Sequence, residues 1–135
     1  MKRFLIIAVL ALAVVGAFIG YRMYEQPVAT AGDQAADVSV TAEDLYRAFS
    51  TDEAAAGTRF NDKVVQVTGT VREIGAEGDG PVNVLLDTGD DLGAVVCEFA
   101  HDQDPHWEKG RQVTLKGFCA GFNLDVLLQR CAVVE

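Results

Sequence analysis

Between Lys63 and Val134 apolar and polar residues alternate, and clusters of Gly, Asp and Asn break the pattern at 77–80, 87–91 and around Asn123. Alternation with period two, punctuated by residues that favour tight turns, predicts short strands joined by short connections. One connection differs: residues 101–109 form a longer polar stretch between the third strand and the fourth. Five strands with a non-strand insertion at that point predict a mainly β protein, a small five-stranded Greek-key barrel of the OB type. Ahead of the barrel the pattern predicts one or two short helices, and the N-terminus predicts a transmembrane helix.

The N-terminal helix follows from a basic start, Lys2 and Arg3, and an uncharged run over residues 4–20. At about 1.5 Å per residue that run spans roughly 25 Å, and residues 21–24 extend it towards the ~30 Å hydrocarbon core. Arg22 can snorkel, while Tyr21 and Tyr24 suit the interface. Residues 1–24 therefore read as a single-pass anchor touching the membrane through residues 4–24. The alternative is a signal peptide cleaved to give a secreted product. Ala29, Thr30 and Ala31 supply a small-x-small pattern for it, well beyond the apolar run. Lys2 and Arg3 favour the cytoplasmic side, which predicts a C-terminal domain outside the cytoplasm.

The whole chain carries 20 Asp and Glu against 11 Lys and Arg, a net charge of -9. Every acid lies beyond residue 24. Setting aside Lys2, Arg3 and Arg22 leaves 8 bases there and a net charge near -12. Such a surface is repelled by anionic lipid and by nucleic acid, so the charge argues against a nucleic-acid partner and against peripheral membrane binding.

Residues 25–40 are rich in Ala, Gly, Asp and Gln without apolar periodicity and read as a linker; the alternative is a short edge strand at 38–40. Residues 41–135 form the OB-type domain. Thr41 caps a helix with Glu43 and Asp44 at its positive end, and Leu45, Tyr46 and Phe49 share one face. Residues 50–53 repeat the capping pattern and start a second helix at Glu53, which Gly57 can end. In the first barrel strand Val65, Val67, Gly69, Val71 and Glu73 fall on one face, with Gly69 as the expected bend. Residues 82–86, 92–99, 112–122 and 126–134 give the other four strands.

At this level of detail the wording of the chain becomes distinctive. Residues 44–46, 52–56, 63–71, 96–99, 113–122 and 125–128 through Cys131 together resemble the tRNA_anti-like family of OB-fold proteins. The resemblance covers about residues 41–134. It implies a helix-preceded OB barrel in a bacterial protein, often held by an N-terminal membrane or lipid anchor, which gives a bacterial cell-membrane location, periplasmic in a Gram-negative cell. It implies no reaction, and the family's name is not itself a sign of RNA binding.

Several side chains could still carry chemistry. Phe99, Trp107, Phe118 and Phe122 could stack bases, but Arg72, Lys109, Arg111, Lys116 and Arg130 are scattered rather than grouped. Three cysteines outside the cytoplasm leave one thiol over. Cys119 and Cys131 flank the last hairpin and are the expected disulfide, with Cys97 as alternative partner; plain burial is the other outcome. Cys97, His101 and His106 lack the spacing of a metal knuckle, and both histidines sit in a polar loop, so no metal, cofactor or catalytic residue is assigned. Glu77, Asp79, Asp87, Asp90 and Asp91 could gather around Ca²⁺ at one barrel end, but they lack the alternating calcium-loop pattern. The expected function is a membrane-anchored, extracytoplasmic, non-catalytic binding or interaction module for an envelope protein or small molecule. The alternatives are a small-ligand or cation binder and a thiol-redox protein using an unpaired cysteine.

Overall fold

Val64, Val65, Val67 and Val71 are β-branched and buried, and they build the strand on which the barrel closes. The computed structural model describes residues 1–25, 29–76, 78–100 and 103–134; Glu77 and His101, singled out above, lie outside the described residues. In chain order the elements are α1 (Lys2–Tyr24), β1 (Val38–Thr41), α2 (Ala42–Thr51), α3 (Glu53–Phe60), β2 (Val64–Ala76), β3 (Val82–Asp87), β4 (Ala94–Phe99), β5 (Gln112–Asn123) and β6 (Asp125–Val133). α1 has 23 residues, all exposed, with a mean hydropathy of 2.7 in its most apolar stretch. By length and composition it can cross a membrane.

The first half of β2 pairs antiparallel with β5, from Val64 opposite Phe118 to Thr70 opposite Gln112. Its second half pairs antiparallel with β3. β3 then pairs with β4, β4 runs parallel to β6, and β6 returns antiparallel to β5. The ring is closed and mixed, and the parallel contact between its third and fifth strands is the Greek-key order of an OB barrel. The mainly β, five-stranded barrel expected from the alternation is the observed fold.

Two local features differ from the simple period. Gly69 is needed for close approach as much as for bending: a Cβ there would lie 2.9 Å from that of Ala42, where α2 begins. The register slips between Val71 and Glu73, so Glu73 faces solvent rather than sharing the buried face of Val71. A bulge at Arg72 adds one residue and spares the carboxylate from the core.

Thr41 caps α2 as expected, its Oγ1 accepting the Asp44 N–H at 3.1 Å. The cap of α3 is Asp52, whose Oδ1 accepts the Ala55 N–H at 3.1 Å, while the Ser50 hydroxyl donates to the Arg47 carbonyl. α3 does not stop at Gly57. It continues to Phe60, which is buried and packs on Phe49 with ring centroids 5.9 Å apart. Burying that phenylalanine outweighs the ~1 kcal/mol a glycine costs inside a helix. Leu45, Phe49 and Phe60 fill the core from one side, and Trp107 packs edge-on against Phe99 at the far end of β4. Residues 103–108 contain no helical turn.

Of the linker expected over 25–40, Glu25 caps the end of α1 and residues 29–40 are docked on the barrel. Ala31 is fully buried in a single 3-10 turn, and Lys116 Nζ donates to the carbonyls of Gly32 (3.3 Å) and Gln34 (2.6 Å). Arg130 reaches the Ala29 carbonyl, and Asp37 exchanges two hydrogen bonds with the backbone of Val64. β1 then pairs parallel with β2, Val38 opposite Val65. The edge strand that was the alternative for 38–40 is present because β2 offers a free edge, a long-range partner that local periodicity does not reveal.

Candidate binding face

In an OB barrel the outward face of the second and third strands, with the adjoining loops, is the usual binding surface. Here those strands are β3 and β4. Register places Glu73, Leu85, Val96 and Leu127 in one row across β2, β3, β4 and β6. Leu85, Val96 and Leu127 are half-buried, and Asn83 and Glu98 form the next row. An open cleft of about 310 Å³ adjoins the row, lined by Val96, Ala120, Phe122, Asp125 and Leu127 among others. Two exposed leucines stand on the neighbouring turns. Leu92 is 89% and Leu124 76% exposed, and the turns are tied by Asp125 Oδ1, which accepts the Ala94 N–H at 2.8 Å. Leu92, expected as the first residue of the third strand, instead lies on the turn ahead of β4, which begins at Ala94; periodicity does not single out Leu124. The signal available in sequence is an apolar residue set between turn-formers, Asp91 and Gly93 in one case, Asn123 and Asp125 in the other.

Three of the five bases considered for nucleic acid are engaged within the fold, while Lys109 and Arg111 are exposed. Arg72 donates to Asp87 Oδ1 (3.1 Å) and to the carbonyls of Asp90 and Gly93; Lys116 and Arg130 hold the docked segment. Arg130 also lies 4.2 Å over the Phe118 ring. Phe99 is buried, Trp107 packs on it, and Phe122 stacks on Phe49 at 5.7 Å. Phe99 therefore offers no free platform, and Phe122, half-buried, also lines the cleft beside the row.

The acidic turn between β3 and β4 is self-contained. Asp87 accepts from the Gly89 N–H and from Arg72, and both hold its carboxyl below its usual value. Asp90 accepts the Leu92 N–H at 2.8 Å. Among the described residues no three His, Cys, Asp or Glu side chains gather around a common cation position. His106 is exposed and lies 3.8 Å from Asp104. A depressed carboxyl contributes stability above its unfolded pKa and loses it as pH falls through the folded one. Because Asp87 is half-exposed, the pair is worth at most about 1 kcal/mol. Arg72→Met is therefore expected to move the Asp87 carboxyl pKa upward in an NMR titration, and to narrow the stability lost between neutral pH and pH ~3.

All three cysteines are buried thiols. The hairpin register sets Cys119 opposite Leu128, not Cys131, and Cys119 Sγ points to Asn61 Oδ1 at 3.6 Å. On the parallel β4–β6 pair Cys131 stands opposite Phe99, one inward position along from Cys97, so the two buried thiols are diagonal neighbours on the inner face. Burial pushes the Cys97 thiol well up, with Cys131 adding to the effect, and burial also raises Cys119. Both stay protonated at neutral pH, the reverse of an activated nucleophile.

The tRNA_anti-like family profile matches residues 1–133. The chain belongs to this family. A lipoprotein of Klebsiella pneumoniae subsp. pneumoniae, to which nucleic-acid binding is ascribed, shares the fold of this tRNA_anti-like protein. The two superpose with a TM-score of 0.57 and 20% identity, over 72% of this chain and 92% of that one. At that identity the likeness is one of fold. No curated protein matches this tRNA_anti-like chain in sequence.

Proposed function

We propose that α1 holds the chain in the bacterial cell membrane and that the barrel, outside the cytoplasm, is a non-catalytic module that binds an envelope protein. Leu92 and Leu124 carry this reading. They project from adjacent tied turns beside the apolar row of Leu85, Val96 and Leu127. Leu124 takes φ 64, a left-handed conformation that costs a leucine roughly 1–2 kcal/mol and a glycine almost nothing. That cost is spent on a side chain left three-quarters exposed, which favours a contact made with another molecule. Glu73, Glu98 and Asp125 edge the strip, so its complement is an apolar polypeptide surface bordered by basic residues. The engagement of Arg72, Lys116 and Arg130 and a charge near -12 beyond the anchor argue against nucleic acid. An uncleaved chain is supported by Ala29–Ala31: cleavage after Ala31 would remove a residue that is fully buried.

The test is photo-crosslinking in intact cells with a photoreactive residue at position 124 or 85. A discrete protein adduct is expected from position 85, weakened about tenfold by Leu92→Asp with Leu124→Asp, while the melting temperature is unchanged. Labelled single-stranded DNA and RNA should show no saturable binding to the full chain at roughly 10 µM. Adducts indifferent to the double substitution, or saturable oligonucleotide binding, would overturn the proposal.

A further inference from the structure

The hairpin β5–β6 carries a second irregularity. Leu128 and Cys131 both face the core, although their spacing on a regular strand would send them to opposite sides. The parity is restored by a bulge: Gln129 and Arg130 are both exposed, Arg130 takes φ 50, and the β4–β6 register shifts between Cys97 and Phe99. Arg130 is held there from two sides, by the Ala29 carbonyl at 3.3 Å and by the Phe118 ring. Opposite the bulge stands Gly117, where a Cβ would come within 2.6 Å of Cys131 Sγ. The extra residue thus aims the Cys131 thiol inward, the missing side chain of Gly117 leaves it room, and Cys97 is the inward cysteine diagonal to it on the parallel strand. The third thiol is kept apart by its contact with Asn61.

We propose that Cys97 and Cys131 close a disulfide across the parallel β4–β6 junction, leaving Cys119 as the odd thiol. The oxidant is a disulfide donor encountered outside the cytoplasm, so the inference rests on the exported placement proposed above. One cysteine, as thiolate, attacks the donor disulfide and expels one donor thiolate. The second, having given up its proton to solvent, attacks the protein sulfur of the mixed disulfide and expels the other. Two thiol protons and two electrons leave the chain, and one S–S bond forms. Both sulfurs are inaccessible in the finished barrel, so the exchange takes place while β6 is still docking. The bond ties residues whose contact spans the last three barrel strands, which stabilises the closed form chiefly by restricting the unfolded chain.

The full chain is alkylated in denaturant without reductant, directly from membranes of expressing bacteria, and its intact mass is measured. One label, on Cys119, is expected, rising to three after reduction, with a linked peptide joining Cys97 to Cys131. In a second arm the reduced chain is unfolded and refolded in detergent with glutathione disulfide. The same bond should form, and the oxidised chain should melt roughly 10 °C above the reduced one. Three labels in both arms, or a linked peptide containing Cys119, overturns the pairing. The bond in glutathione with three labels from membranes supports the pairing and overturns the exported placement.

Discussion

Phe49→Ala is expected to cost the domain about 3–5 kcal/mol, the usual range for removing a buried aromatic ring. Phe49 is 2% exposed and joins both helices to the barrel. Its ring stacks on Phe122 at 5.7 Å with an interplanar angle of 17°, and it touches Phe60 at 5.9 Å. Neither neighbour can collapse into the space, because one is fixed on β5 and the other ends α3. A domain of this size holds roughly 5–10 kcal/mol in all, so the variant sits near the edge of folding. Urea titration followed by Trp107 fluorescence reads the loss. The single tryptophan lies in the barrel domain, so α1 does not contribute to the signal. A change under about 1 kcal/mol would mean that α2 is not docked as described.

Gly117→Val should be the second most damaging change, at about 2–3 kcal/mol, for the opposite reason. Its added Cβ would lie 2.9 Å from the Leu128 Cβ as well as 2.6 Å from Cys131 Sγ. The sulfur can rotate away, but the Leu128 Cβ is bound to the backbone and moves only with β6. The substitution therefore pushes β6 off β5 and turns Cys131 from Cys97. In the membrane-derived chain it is expected to raise the label count under non-reducing conditions from one to three, alongside the lower midpoint in urea.

The barrel was legible in the alternation because its five strands each bury one face, and burial of one face is what period two records. Thr41 was legible as a cap because capping is local. What escaped was non-local. The bulges at Arg72 and Arg130 each reverse the parity of a strand, which moves Glu73 outward and Cys131 inward, and nothing in either residue type announces this. The pairing expected between Cys119 and Cys131 assumed an even register across the last hairpin. The turn at Leu124 pairs Asn123 with Asp125, and a further register slip between Cys119 and Gly121 sets Cys119 opposite Leu128 instead. Gly57 looked like a helix end because its propensity is local, whereas the burial of Phe60 that overrides it is tertiary. Leu124 lies outside every periodic segment and Leu92 was expected to start the third strand, so the exposure of both emerges only from the fold.

The docked segment ahead of β1 shortens the chain's reach. α1 ends at Tyr24, and the Ala29 carbonyl is already held by Arg130. A fully extended chain advances at most ~3.6 Å per residue, so no more than roughly 18 Å of leash separates the helix end from the flank of a domain roughly 30 Å across. With α1 in the bilayer, the domain has no room to sweep the space beyond the membrane. On the anchoring proposed above, it would search in two dimensions, along the headgroups, and meet chiefly molecules confined to the same layer. Such confinement raises the effective concentration of a co-resident partner. A strip of a few leucines and a valine, too small to retain a freely diffusing protein, is then sufficient.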